Sequence, residues 1–204
     1  MAVARGRVQG RGPRMTDIVV LAEEPSGRIV AECLAQKLGL GDRAIVLEHQ
    51  GKSDLEQSFP RKIGHWRSPN PPRFVIMRDN DGADCLAKKD QLRRLVPPNA
   101  ADRVKIRLVV QELESWYLGD LDAVANAGLV SAAAVAQQKR RPRFRDPDGI
   151  RHAKEEFKTK ITPGGQIELA RRIGPHLSLT LNRSRSFHAF VDALRWAAGA
   201  PAAP

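Results

Sequence analysis

The chain has 204 residues, 42% of them hydrophobic, and carries a formal net charge of +11, so it is long enough to bury a core without disulfide or metal staples. Its longest wholly apolar run near the N-terminus, Ile18–Ala22, falls far short of the ~20 residues of a membrane span and of a signal-peptide apolar region, which excludes a membrane-spanning or secreted reading and makes the expected location cytoplasmic. Cys33 and Cys85 lie far apart in apolar periodic stretches, form no CxxC pair and read as reduced core residues.

Residues 1–14 carry four arginines and no acid, show no periodicity and stop just before Met15. They read as a disordered basic tail, with Met15 an alternative start. Removing those four arginines takes +11 to +7, a balance that favours a polyanionic partner, although ordinary solubility of an arginine-rich chain accounts for it as well. Residues 17–22 form a continuous apolar run suited to a strand buried on both faces, and Glu23-Glu24-Pro25-Ser26-Gly27 supplies a turn. Ile29, Val30, Cys33, Leu34 and Leu38 then recur at helical spacing, with Ser26 able to cap the first turn and Gly39 and Gly41 to stop it.

A second strand fits residues 44–47, followed by a polar loop, a helix over about 54–63 and a proline-rich connection at 68–72. The third strand, 74–77, runs into Arg78-Asp79-Asn80-Asp81-Gly82, after which Cys85, Leu86, Leu92 and Leu95 mark a helix ended by Pro97 and Pro98. Residues 104–110 read as a fourth strand, and Leu113, Trp116, Tyr117, Leu121 and Val124 place one helix behind it. The stretch 131–162 is basic and irregular, a loop over 135–162, and two helical patterns follow. The last has an apolar face of Phe187, Phe190, Val191, Leu194 and Ala198, a cap at Ser184 or Ser186, and a frayed end at 199–204.

The alternation predicts an α/β fold: a mostly parallel sheet of about four strands flanked by helices, with a helical C-terminal portion, in one domain over residues 15–198. Such sheets bind ligands outside the carboxyl ends of their strands, the edge where Glu23, Asp79, Asp81 and Glu112 all fall.

Glu23 from the first strand end and Asp79 with Asp81 from the third make a hard-oxygen set of the type that holds Mg²⁺ or Mn²⁺, and Asp-x-Asp in an extended segment points both side chains to one side. An ion there polarises a phosphate and generates hydroxide from water. The competing reading makes Glu23 and Asp81 helix N-terminal acids and Asp79 a turn residue. At least one of Glu112 and Glu114 reaches the same edge, which allows a second ion; alternatively both only favour a first helical turn, with Trp116 packed in the core. Gly51-Lys52-Ser53 follows a strand but lacks the earlier glycine of a P-loop, because position 46 is valine. Lys52 is then a phosphate contact or a solvated loop lysine. The histidines have no zinc spacing, no GxSxG nucleophile motif is present, and Tyr117 sits on a buried helix face, which leaves water as the nucleophile. Lys139, Arg140, Arg141, Arg143 and Arg145, with Arg151, Lys154, Arg171, Arg172, Arg183 and Arg185, form either a face for a nucleic-acid backbone, with Phe144 stacking on a base, or a solvated loop.

Val20-Leu21-Ala22-Glu23-Glu24-Pro25-Ser26 resembles the strand, glutamate, turn, helix signature of the Toprim domain, and Val75-Ile76-Met77-Arg78-Asp79-Asn80-Asp81 resembles its later strand with Asp-x-Asp. More closely, residues 17–197 resemble the bacterial domain-of-unknown-function family 4276, taken to be Toprim-like. The matching stretches are Gly51-Lys52-Ser53-Asp54-Leu55, Arg78 to Asp81 with Asp84-Cys85, Glu112-Leu113-Glu114-Ser115-Trp116-Tyr117-Leu118-Gly119-Asp120, and Asn182-Arg183-Ser184-Arg185-Ser186-Phe187. The resemblance implies a Toprim-like fold and Mg²⁺-dependent phosphodiester hydrolysis, with Glu23, Asp79, Asp81 and Glu112 as catalytic metal ligands and Glu24, Lys52, Glu114 and Asp120 as further candidates. It also implies a partner ATPase in anti-phage defence or genome maintenance. Glu24 stands where the Toprim pattern usually has glycine after its glutamate. The alternatives are a non-catalytic regulatory partner of an ATPase, a phosphatase, disfavoured because Ala83 replaces the hydroxyl it needs, and a nucleotide-sugar transferase, which leaves Glu23 without a role.

Overall fold

Pairing of the first strand with two neighbours organises the molecule, seen in a computed structural model that describes residues 16–199. The expected basic tail at 1–14, the alternative start at Met15 and the chain end from residue 200 lie outside those residues. The elements run β1 (Ile18–Ala22), α1 (Pro25–Lys37), β2 (Ala44–Glu48), α2 (Lys52–Gly64), β3 (Arg73–Asp79), α3 (Cys85–Leu95), β4 (Val104–Val109), α4 (Glu114–Gly119), α5 (Leu121–Asn126), α6 (Ala132–Lys139), α7 (Ala153–Lys160), α8 (Gln166–Ile173) and α9 (Arg185–Ala197). The four strands form one sheet in the order β2-β1-β3-β4, and every pairing is parallel. The fold is thus the expected α/β one.

The continuous apolar runs are explained by helices on both faces of the sheet. Ile18 and Val20 of β1, Val75 and Met77 of β3 and Val109 of β4 pack with α1, α4, α8 and α9. The alternate residues Val19, Leu21, Phe74, Ile76, Ile106 and Leu108 pack with Leu55, Phe59 and Ile63 of α2 and Leu92 of α3. The helix expected over 113–124 divides at Asp120, whose side chain accepts the Ala123 N–H and starts α5 afresh. Cys33 and Cys85 are free thiols, each half-buried.

The stretch 135–162 is not an irregular loop. It folds as the end of α6, short 3-10 turns at Pro142–Arg145 and Pro147–Gly149, and α7. Prolines punctuate it into pieces too short to show a helical apolar period, which hid them. Each piece is pinned by single apolar residues, namely Val135, Phe144, Ile150, Ala153 and Phe157, all in the larger core. Phe144 is 0% exposed, so it does not stack on a base; its burial stabilises the fold by about 1.5–3 kcal/mol. Among the described residues no helix is long and apolar enough to cross a membrane.

Candidate functional site

The strand order fixes where a site can form. From β1 the chain turns through α1 to β2 on one side, and then through α2 on the opposite face to β3 on the other side. The two connections therefore part at β1 and β3, and the crevice at their carboxyl ends is the switch point at which α/β sheets bind ligands. Ala22 pairs with Met77 across this boundary, so Glu23 and Asp79 leave the sheet side by side. The Glu23 N–H donates to the Met77 carbonyl at 3.1 Å, and Glu23 Oε2 accepts the Asp79 N–H at 3.0 Å. Asp79 then closes a small recess lined by Glu23, Glu24, Ser26, Gly27, Met77 and Leu113.

This recess is acidic and poorly compensated. Burial pushes the Glu23 carboxyl above its usual range, opposed by the Asp79 N–H and the Arg78 charge. Asp79 is held well above its usual range, first by burial and then by the charges of Glu23, Glu114, Glu24 and Asp81. Glu114, 3% exposed, is pushed up to about 7, chiefly by burial. Its Oε2 and the Tyr117 hydroxyl are both buried without a hydrogen-bond partner among the described residues. Among the described residues none of Glu23, Glu24, Asp79 and Glu114 is in an ion pair. No three His, Cys, Asp or Glu side chains among the described residues stand close enough together, as placed, to hold a metal ion.

Asp81 faces other surroundings. β3 ends at Asp79, and Asp81 sits at φ 52°, in the left-handed region that aspartate tolerates better than most residues. The expected extended Asp-x-Asp geometry is broken there. Asp81 Oδ2 accepts from Lys52 Nζ at 3.3 Å and lies 3.7 Å from the Arg78 guanidinium. Gln111 holds the turn: its carbonyl accepts the N–H groups of Asn80 and Asp81, each at 3.2 Å, while its Oε1 accepts from Asn80 Nδ2 at 2.9 Å and from the Gly82 N–H at 2.8 Å.

Of the two glutamates after β4, it is Glu114 that turns inward toward Asp79. Glu112 Oε2 accepts the Lys154 N–H at 2.9 Å and so caps the start of α7. Asp120 has both oxygens engaged, with the Ala123 N–H at 3.1 Å and the Ser178 N–H at 2.7 Å, which makes it a structural cap. Lys139 is tied to Asp122 at 2.7 Å and Arg143 to Glu156 at 2.9 Å, whereas Arg140, Arg141 and Arg145 are exposed.

Two contributors escaped the sequence reading. Arg78, inside an otherwise apolar strand, is 4% exposed and donates to Glu56 on α2 at 2.8 Å and to the Asp79 carbonyl. A charge within a two-sided buried strand was the signal that could have found it. The other is the mutual docking of the stretches 112–120 and 182–187. Asn182 Nδ2 donates to the Trp116 carbonyl at 2.9 Å, Trp116 Nε1 donates to Ser186 Oγ at 3.0 Å, and Asp148 accepts from Ser184 Oγ at 2.6 Å and from the Ser186 N–H at 2.9 Å. A β-carbon at Gly119 would collide with Asn182 Oδ1. These residues hold the Glu112–Glu114 segment from behind.

The family model described as "Domain of unknown function (DUF4276)" matches residues 28–195. The chain belongs to the DUF4276 family. Glu23 lies just ahead of the matched segment, while Asp79, Asp81, Glu112 and Glu114 lie within it. No curated protein matches the chain. Among solved structures, this DUF4276 chain is similar to the C-terminal region of the OLD protein of Xanthomonas campestris pv. campestris, with a TM-score of 0.51 at 12% identity over 90% of this chain and 96% of that one. It is also similar to the C-terminal region of the Burkholderia pseudomallei OLD protein, with a TM-score of 0.51 at 15% identity over 88% of this chain and 99% of that one. At such identities the likeness is one of fold, which is Toprim-like.

Proposed function

We propose that this chain is a divalent-metal-dependent nuclease that hydrolyses phosphodiesters of nucleic acid. The observation that carries the reading is the acidic recess at the β1–β3 switch point, where Glu23 and Asp79 meet and the buried Glu114 oxygen has no partner. Carboxyls crowded without a cation are costly unless they stay protonated or gain one. An all-oxygen donor set suits Mg²⁺ or Mn²⁺, so the residues fit such an ion in chemistry, with Glu23 and Asp79 as its holders and Glu114 behind them. Bound there, the ion would supply Lewis-acid polarisation of a phosphate and lower the pKa of a water.

The remaining roles belong to the chain's own side chains. Lys52, exposed beside Asp81, neutralises phosphate oxygens at the rim, while the buried Arg78 holds Asp81 and the Asp79 carbonyl from below. Glu24 lines the recess as a further acid. Glu112 acts by capping α7 and so supports the segment that carries Glu114. Tyr117 is buried behind the acids, which favours water over a phosphotyrosyl link. Arg140, Arg141 and Arg145, exposed on the segment before α7, extend a cationic surface for the nucleic-acid backbone, and Lys139 and Arg143 join it by exchanging Asp122 and Glu156 for phosphate. A partner ATPase, in anti-phage defence or genome maintenance, completes the reading. It draws on the family resemblance and on the fact that the similar solved structures are regions of longer proteins.

The test is incubation of the full chain with single-stranded DNA, duplex DNA and RNA in Mg²⁺, Mn²⁺ or chelator, beside Asp79→Ala. Metal-dependent cutting lost in the variant is expected. Equal cutting by both proteins would sink the assignment. A second reading, a non-catalytic partner of an ATPase, draws on the absence of a ready three-carboxylate cluster among the described residues; it is favoured if neither protein cuts and the chain forms a stable complex with an ATPase.

A further inference from the structure

The far edge of the sheet carries a second feature unrelated to the acidic recess. Among the described residues β4 pairs only with β3. The Asn80 N–H donates to the Val109 carbonyl, so Val109 turns its peptide group toward β3. Peptide direction alternates along a strand, and therefore Lys105 and Arg107 also face β3 while Val104, Ile106 and Leu108 present N–H and C=O groups outward. A recess of about 350 Å³ runs along this edge, lined by Val104, Lys105, Ile106 and Arg107 with Arg93, Val96 and Ala101. Four consecutive strand residues whose side chains alternate between the two faces can share one recess only if it opens on the strand's free edge.

The charge on that edge is only partly compensated: Lys105 Nζ lies 4.5 Å from the centre of the Trp196 ring, and the Asp192 charge acts on both cations. Among the described residues neither Lys105 nor Arg107 is in an ion pair, and Arg107 spends two of its donors on the carbonyls of Ala189 and Ile106. Burial, with neighbouring cations, holds both groups below their usual range against the opposing charge of Asp192. The opposite edge differs, because beside β2 Arg28 bridges Glu48 and Glu32. The outward peptide groups other than the Ile106 carbonyl, which Arg107 occupies, ask for a strand, half-buried cations outside any ion pair ask for carboxylates, and the apolar lining of Val96, Ala101, Val104 and Ile106 suits side chains rather than a sugar-phosphate backbone.

We propose that the free edge of β4 is a docking site for an extended acidic segment of a partner protein, which adds as a fifth strand with its carboxylates against Lys105 and Arg107.

The probe is a fluorescein-labelled Glu-Val-Glu-Val-Glu-Val peptide added to the full chain, with binding followed by anisotropy and amide exchange by NMR. Saturable binding is expected, with exchange at the Ile106 and Leu108 amides slowed at least tenfold while the Lys105 and Arg107 amides, already bonded to β3, change little. Lys105→Glu is expected to weaken binding at least tenfold with an unchanged thermal midpoint; if it unfolds the protein, Lys105→Gln with the same readouts decides. No binding, or binding that leaves the Ile106 and Leu108 amides unprotected, overturns the proposal. So does a single-stranded oligonucleotide of equal charge that displaces the peptide and itself leaves those amides unprotected, since the cations would then serve a nucleic-acid backbone. The Asp79→Ala variant is expected to bind the peptide unchanged, which separates this edge from the nuclease reading.

Discussion

Asp79 and Asp81 are two residues apart and sit in opposite electrostatic regions of one molecule. Asp79 belongs to a recess lined by Glu23 and Glu24, and burial together with the charges of Glu23, Glu114 and Glu24 makes its carboxyl harder to ionise. Asp81 belongs to a rim where Lys52 and Arg78 already neutralise it. The difference shows how one strand end separates two tasks: an acid that gains from a cation, and an acid that holds cations in place. Arg78 links the regions, since it lies 3.7 Å from Asp81 and its charge also acts on Glu23.

The contrast can be broken most severely through activity. On the proposed function, Asp79→Asn removes a cation holder from the recess and is expected to lower metal-dependent cleavage by roughly 10³-fold. Asp81→Asn removes only the orienting partner of Lys52 and Arg78, with a loss on the order of tenfold. Single-turnover cleavage at saturating Mg²⁺ measures both, and equal losses would dissolve the distinction.

A second, smaller effect concerns stability. The folded-state pKa of Glu114 is raised from near 4.5 to about 7, so the native state binds its proton more tightly than the unfolded chain does. The resulting stabilisation is fully present below about pH 4.5 and is lost as pH rises through about 7. Full conversion corresponds to about 3 kcal/mol, which the loss of its neighbours' charges at low pH will modify. Urea unfolding of the metal-free protein between pH 4.5 and 7.5 is expected to show this decline, and Glu114→Gln to flatten it. A flat wild-type profile would place Glu114 in a more solvated setting.

The smallest effect is at Glu112. Its carboxylate caps α7 through the Lys154 N–H, an interaction of about 0.5–2 kcal/mol, so Glu112→Gln is expected to cost under about 1 kcal/mol in urea unfolding because the amide oxygen can still accept. Cleavage should fall by less than about threefold. A loss as large as that of Asp79→Asn would return Glu112 to the metal-holding set.

Much of the fold was legible because the four strands are buried on both faces and read as unbroken apolar runs, each followed by a polar turn. That same pattern put Glu23 and Asp79 at one edge. Their neighbours were less legible. Which of Glu112 and Glu114 turns inward depends on where α4 starts and on where α7 docks, and one residue of phase reverses the answer. Asp81 was read as extended, but the left-handed backbone at that position follows from Gln111, which is distant in sequence and reaches the turn only after β3 and β4 have paired. The prolines around Phe144 looked like the marks of a loop, whereas they separate short helical pieces that single aromatic residues anchor.

The pairing of β1 with β3 has a consequence for how the recess comes into being. The hydrogen bond between Glu23 and the Asp79 amide spans 56 residues of chain, and α1, β2 and α2 all lie between. No short peptide cut from this protein can reproduce the recess, because it exists only once β1 and β3 have paired across a long loop closure. A divalent ion that prefers this recess would therefore act as a ligand of the native topology itself, raising the thermal midpoint of the whole sheet by mass action. A thermal-shift titration with Mg²⁺ or Mn²⁺ would then report occupancy before any substrate is known.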